Sequence, residues 1–278
     1  MGIQHRESKR STRSCGSDFR GKVMDAKRIV IKVGSSTLTG DAGTSLNGAA
    51  VAKLVDVVAG LKSSGKEVII VTSAAVAAGM APLGLTERPT DLATQQASAS
   101  VGQGLLIAKY SAEFSRHNIV VSQVLVTGAD LSIELYNENA KRTLMRLLEL
   151  GVVPIINEND SVGTEELRLG DNDRLSALIL ELIKADLLVL VSDIDALYDA
   201  PPTQSGANRI AKVTDFKELV AIDIGGVGTS GVGSGGMVTK IKAAEIATAN
   251  GANMLLTDLA HLGDALSGKD VGTLFTAK

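Results

Sequence analysis

The sequence predicts an α/β fold: a three-layer αβα sandwich around a mostly parallel central sheet, with two lobes sharing that sheet. Three observations predict it. Short runs of Val, Ile and Leu alternate with segments whose apolar residues recur at helical spacing. Hydrophobic residues make up 45% of the chain but aromatics only 3%, with no Trp, so the core must be built from the aliphatic side chains that buried parallel strands use. Polar clusters directly follow four of the apolar runs, where open α/β sheets bind their ligands.

Taken in order, Arg28–Val33 is an apolar run ending at Gly34 and is read as the first strand. Residues 51–61 have helical spacing and stop near Gly65, and Glu67–Thr72 is the second strand. Residues 92–117 read as one long helix or two short ones, followed by a strand at 119–125. An amphipathic helix at 139–150, closed by Gly151, leads into a fourth strand at 152–156. A helix at 173–184 precedes a fifth strand at 187–191, and a last helix at 239–249 precedes late strands at 254–256 and 271–275. The folded region is expected to begin near Ala26, after a basic, disordered tail over 1–25, and Met24 is read as the natural start. A division near residue 186 separates the two expected lobes, 26–186 and 187–278.

The net charge of −3 is uneven. Residues 1–22 hold six Lys/Arg and two Asp/Glu, leaving 22 Lys/Arg against 29 Asp/Glu in the remainder, a balance of −7. An acidic body with few aromatics argues against nucleic-acid binding. Any phosphate site must therefore be local. The single cysteine, Cys15, allows no disulfide within the chain, which fits a reducing, cytoplasmic compartment. His5, His117 and His261 have no metal-ligand spacing, and no apolar run reaches membrane-spanning length.

The four polar clusters are Lys32 to Ser36, Ser73 to Ala75, Asn157 to Asp160, and Ser192-Asp193. Lys32 at the end of an apolar strand is costly to bury unless paired, and beside Gly34 it could hold a phosphate. The alternative is a strand-end lysine reaching water. Gly170-Asp171-Asn172-Asp173 stands just before a helix, where Asp173 could serve simply as N-cap. That role leaves Asp171 and Asn172, and Asn157 and Asp160 shortly before, without explanation. Such carboxylates can hold an ammonium, orient lysines or bind Mg²⁺. The glycine-dense stretch 225–236 matches G-x-G-x-x-G twice, but it lies far from the first βαβ unit and lacks the acidic residue that a dinucleotide site requires. Gly235-Gly236-Met237-Val238-Thr239-Lys240 reads better as flexible glycines leading into a phosphate-binding helix N-terminus. Lys240 in that first turn opposes the helix dipole, so a bound anion would explain it.

These clusters, with Val101-Gly102-Gln103, resemble the amino acid kinase family over roughly residues 27–275, and within it the members whose acceptor is the γ-carboxylate of glutamate. The Asn157-Glu158-Asn159-Asp160 and Gly170-Asp171-Asn172-Asp173 pair is the specific part of the likeness. The resemblance implies ATP-dependent formation of glutamyl 5-phosphate, the first step of proline synthesis. It implies Lys32, Asp173 and Lys240 as catalytic residues, the two lysines neutralising the transferred phosphoryl group and Asp173 orienting both. It implies an acceptor pocket of Ser73, Asn157, Asp160, Asp171 and Asn172, with Asp160 on the α-ammonium. ATP would meet Lys32, Gly34, Ser192, Asp193, Ser234, Gly235, Gly236, Met237, Val238, Thr239 and Lys240, with Mg²⁺ held mainly by the nucleotide phosphates and by no protein metal site. Proline as feedback inhibitor, a homo-oligomer and a glutamyl phosphate reductase as partner are further implications.

Three residues depart from the family pattern: Ala74 and Ala196 stand where glycine is usual, and Ser234 where threonine is common. No C-terminal PUA domain of the kind many members carry is expected. An aspartate or N-acetylglutamate acceptor, or a catalytically weak metabolite-binding regulator, are the alternative readings.

Overall fold

A computed structural model describes residues 21–40, 43–162, 172–204, 206–219 and 236–277. Its centre is an eight-stranded sheet. The strands are β1 (Arg28–Val33), β2 (Glu67–Thr72), β3 (Val121–Val126), β4 (Val153–Glu158), β5 (Leu187–Ser192), β8 (Lys212–Val213), β9 (Asn253–Asp258) and β10 (Thr273–Phe275), in the order β3-β4-β2-β1-β5-β9-β10-β8. All neighbours run parallel except β9 and β10. The short strands β6 (Leu197–Tyr198) and β7 (Arg209–Ile210) form a separate antiparallel ribbon.

Strands buried on both faces explain the continuous apolar runs, because successive side chains enter opposite layers. From β1, Ile29, Ile31 and Val33 join one core cluster, while Val30 joins the other. β5 divides the same way, with Leu187, Val189 and Val191 on one side and Leu188 and Leu190 on the other. Helices α2 (Gly48–Ser63), α4 (Leu92–Ser115) and α9 (Leu262–Leu266) cover the first face. Helices α6 (Glu134–Glu149), α7 (Asn172–Ile183) and α8 (Met237–Ala249) cover the second. The three-layer, mostly parallel architecture expected from the sequence is the one observed.

Several boundaries move. The 92–117 segment is one helix, ending at Ser115, and α6 begins five residues before the expected 139. β4 runs on through Asn157 and Glu158, and the last strand starts only at Thr273, after Gly272 at φ 79°. The ordered chain also reaches back past Ala26, because residues 21–24 are helical and Val23 is buried in the core. Residues 1–20 of the expected tail lie outside the described residues. Among the described residues no helix is long and apolar enough to cross a membrane.

Four short helices sit at strand ends or beside them: α1 (Ser35–Leu38) after β1, α3 (Ala75–Met80) after β2, α5 (Gly128–Ser132) after β3, and α9 after β9. Helix α3 lies directly on α4. A Cβ added at Gly79 would stand 1.9 Å from the Ser98 carbonyl oxygen, and one added at Gly102 would stand 1.9 Å from that of Ala75. Only glycine permits this backbone approach. It fixes the start of α3, and hence Ser73, against the helix that carries Gln103.

Candidate active site

Because β1, β2, β4 and β5 are parallel and adjacent, their C-terminal ends lie along one edge of the sheet. The four polar clusters are therefore neighbours in space, although 160 residues separate Lys32 from Ser192 in sequence.

Asp173, the second residue of α7 and thus not its N-cap, is the hub of the charged part. Its Oδ1 lies 2.6 Å from Lys32 Nζ and its Oδ2 lies 3.2 Å from Lys240 Nζ. The Thr239 hydroxyl stands 2.9 Å from the same Oδ2. The carboxylate is 1% exposed and both lysines are buried, so each charge depends on the others for compensation. Burial alone would raise the Asp173 pKa, but the two ammonium groups and the hydrogen bonds from Lys32 and Thr239 hold it down at about 2. The position of Lys240 in a helix first turn calls for an anion, and the family resemblance offers Asp173. The fold supplies a protein carboxylate from 67 residues away.

Around Lys32 the chain turns closely. Gly34 N–H donates to the Val191 carbonyl at 3.4 Å, and a Cβ added at Gly34 would approach Lys32 Nζ at 3.6 Å. One residue on, Ser35 Oγ accepts from the Ala74 N–H at 3.1 Å and ties this loop to the one after β2. Ala74 is held at φ 80°, ψ 9°, the left-handed region that glycine adopts at no steric cost and alanine does not. The glycine expected there from the family pattern thus has a conformational reason, and this chain carries the strain.

Next to the charged hub lies a chain of amides. Asn172 Nδ2 faces three acceptors: the Thr72 carbonyl at 3.0 Å, Ser73 Oγ at 2.8 Å and Asn157 Oδ1 at 3.1 Å. Asn157 Nδ2 in turn donates to Gln103 Oε1 at 2.9 Å. Asn157 is 1% exposed, and Asn172 Oδ1 is buried with no hydrogen-bond partner among the described residues.

Beyond Asn157, Glu158 and Asp160 form an acidic corner. Burial and the Asp160 charge raise Glu158 to about 7, against a hydrogen bond from the Gly128 N–H. Burial also raises Asp160 to about 6, opposed by the Arg88 charge. Of the remaining predicted residues, Ser192 donates to Asp193 Oδ1 at 2.9 Å at the end of β5. Gly236 caps α8 through its backbone, Met237 packs on the second core cluster and Val238 is exposed. Asp171, Ser234 and Gly235, with the rest of the glycine-dense stretch before Gly236, lie outside the described residues.

Gln103 is the site residue to which sequence reasoning assigns no role. Ser98, Ala99, Gly102, Gln103, Leu106, Tyr110 and Phe114 are the buried residues of α4. The one amide among the buried positions of that helix is the signal that could have found it.

An open αβα sheet with two lysines and a buried aspartate gathered at its C-terminal edge is the framework of a phosphate-handling α/β enzyme. Residues 27–258 match the model of the Amino acid kinase family, and the chain belongs to that family. Relatives named glutamate 5-kinase include that of Streptomyces coelicolor, 54% identical over 258 residues that cover 93% of this chain and 69% of the relative. The one of Leifsonia xyli subsp. xyli is 49% identical and covers 93% of this chain and 94% of the relative. Among solved structures, carbamate kinase from Giardia lamblia bound to AMP-PNP superposes with a TM-score of 0.65 at 17% identity, covering 91% of this chain and 99% of that one. UMP kinase from Bacillus anthracis gives 0.58 at 14% identity, covering 91% and 97%. At those identities the likeness concerns the fold.

Proposed function

We propose that this chain is an ATP-dependent glutamate 5-kinase that makes glutamyl 5-phosphate, the first step of proline biosynthesis, in the cytoplasm. The observation that carries the reading is Lys32 and Lys240 converging on the two oxygens of buried Asp173, beside a chain of buried amides. The relatives named glutamate 5-kinase support the choice of acceptor.

The chemistry needs no general base, because the γ-carboxylate of glutamate is already ionised at neutral pH. A carboxylate oxygen forms a bond to the γ-phosphorus as the bond from that phosphorus to the bridging oxygen breaks, and ADP leaves with the electron pair. Charge grows on the transferred group and the leaving oxygen. Two preorganised ammonium groups stabilise that charge, and Asp173 keeps them aligned before substrate arrives. Ser73, Asn157 and Asn172 line the acceptor pocket and Asp160 takes the α-ammonium. Asp171 completes this pocket in the proposal, while Gly34, Ser192, Asp193 and 234–240 hold ATP. This divides the sheet into an acceptor lobe on the β1–β4 side and a nucleotide lobe on the β5 side. Both Asp173 oxygens are engaged by ammonium groups, so Mg²⁺ would travel on the ATP phosphates, where it neutralises charge. Proline inhibition, homo-oligomer formation and delivery of the labile product to a reductase belong to the same proposal.

The test is phosphoryl transfer with ATP and Mg²⁺, trapping the acyl phosphate with hydroxylamine, with glutamate, aspartate and N-acetylglutamate compared as acceptors. Hydroxamate from glutamate alone is expected. Turnover only with another acceptor would move the chain within the family, and ATP binding without turnover on any acceptor would favour a regulator.

A further inference from the structure

We propose that Gln103 is a positioning residue that holds Asn157 in the one orientation compatible with Asn172, and so keeps Asn172 and Ser73 in place for the acceptor substrate; this rests on reading those residues as the acceptor site.

The argument starts from an atom whose role cannot change. The Thr72 carbonyl oxygen can only accept, so the Asn172 atom 3.0 Å from it must be the amide nitrogen. Asn172 therefore has one permitted orientation. The Asn157 atom 3.1 Å from that nitrogen must then be Oδ1, and Asn157 Nδ2 must point the other way. There it meets Gln103 Oε1 at 2.9 Å. Each amide dictates the next, from the end of β2, through α7 and β4, to the buried stripe of α4.

Asn157 is the member able to go wrong. It is 1% exposed, so water cannot satisfy whichever end lacks a partner. With an acceptor at position 103, both ends of its amide are satisfied in one orientation only. With no acceptor there, Nδ2 is left buried and unpaired, and flipping the amide only adds to the cost because it would set Nδ2 against the Asn172 donor, so the Asn157 side chain must shift instead. That shift draws Oδ1 away from Asn172 Nδ2, which is pinned by Thr72 and cannot turn to follow it. Asn172 and Ser73, joined at 2.8 Å, are displaced together. The buried Asn172 Oδ1, which finds no hydrogen-bond partner among the described residues, is the acceptor that this ordered chain holds ready for an N–H of the substrate.

Gln103 lies on the acceptor side of the sheet edge and its hydrogen bond into the site runs to Asn157, so it acts on acceptor binding and leaves phosphoryl transfer alone. Three variants separate this role from a general packing role. Gln103→Met keeps the length and removes the acceptor; Gln103→Glu keeps an acceptor oxygen; Gln103→Ala opens room for a water that can accept in its place. With whichever carboxylate acceptor the parent phosphorylates, Gln103→Met is expected to raise the acceptor KM about tenfold or more, with kcat and the ATP KM within about twofold. Gln103→Glu should stay within about threefold of the parent, and Gln103→Ala should fall between. Using the parent's own acceptor keeps a wrong choice of glutamate distinct from a failure at Gln103.

A second readout needs no turnover. In protein labelled with ¹⁵N-asparagine, side-chain NH₂ exchange at Asn157 should be slow in the parent and in Gln103→Glu, and about tenfold faster or more in Gln103→Met. An unchanged acceptor KM and unchanged exchange in Gln103→Met would overturn the proposal. So would equal losses in the Met and Glu variants, or a joint rise of both substrates' KM values in Gln103→Met. Should Gln103→Met fail to fold, the Ala and Glu pair gives the same ordering.

Discussion

Replacing Asp173 with asparagine removes one negative charge and almost no volume. In the parent the carboxylate holds two buried ammonium groups at 2.6 and 3.2 Å. Its pKa falls from an ordinary 3.8 to about 2 in the folded state. At about 1.4 kcal/mol per unit, that corresponds to roughly 2–3 kcal/mol of stability at pH 7. Leaving buried cations unpaired costs about 3–5 kcal/mol in comparable substitutions, so the two routes agree in order of magnitude. The folded pKa lies below the unfolded one. The stabilisation is therefore fully present above about pH 5 and is lost as pH falls through 4 towards 2, with about half remaining at pH 3. Urea unfolding of parent and Asp173→Asn at pH 7, 5 and 3 measures the difference, provided the m-values match. A difference below about 1 kcal/mol at pH 7, or one equally large at pH 3, would refute the assignment of Asp173 as the counter-charge of both lysines.

Lys32→Ala is expected to lower kcat by about a hundredfold or more while the glutamate KM changes little, and steady-state kinetics with the hydroxylamine trap checks it. Glu158 has a folded pKa raised to about 7, so the parent loses stability as pH rises from 4.5 through 7. Glu158→Gln should therefore gain stability relative to the parent at about pH 8 and little at about pH 5, visible as a pH-dependent Tm difference. Ala74→Gly relieves a left-handed alanine at φ 80° and should stabilise by about 0.5–1 kcal/mol, since the reverse change at positive φ costs at least that much. A lower denaturation midpoint in Ala74→Gly would show that the buried methyl outweighs the strain.

The layers of the fold are legible because every central strand is buried on both sides. Arg28–Val33, Glu67–Thr72 and 187–191 stand out as aliphatic runs for that reason. The end of β4 is not legible, because Asn157 and Glu158 are polar and look like loop. They are buried in the strand only because Gln103, Asn172 and Gly128 satisfy them. The start of α6 escapes in the same way: residues 134–138 contribute nothing to the core, so no apolar spacing marks them. At the site, the motifs read singly name Lys32, Asp173 and Lys240 separately and the family resemblance groups them, while the contacts themselves, across separations of 141 and 67 residues, come from the sheet order. Ala74 lies between, since its identity is visible in the sequence and its positive φ is not.

The charged hub also constrains how the proposed reaction can begin. Among the described residues the hub holds two ammonium groups and one carboxylate, a balance of one positive charge before nucleotide binds. Incoming phosphates are attracted by that excess, but they cannot take both lysines from Asp173 without leaving a buried carboxylate uncompensated. The stable arrangement with ATP is therefore a shared one, in which each ammonium bridges Asp173 and a phosphate oxygen. Each ammonium carries three donors, so sharing costs neither lysine its bond to Asp173. Lys32→Arg is then no conservative change. A planar guanidinium at a site 9% exposed would satisfy Asp173 in a bidentate fashion and turn away from the phosphate, preserving stability while losing turnover. A urea midpoint at the parent value together with a hydroxamate rate well below it is the expected pair of results, and parental turnover would show that the phosphate needs only a positive charge at position 32.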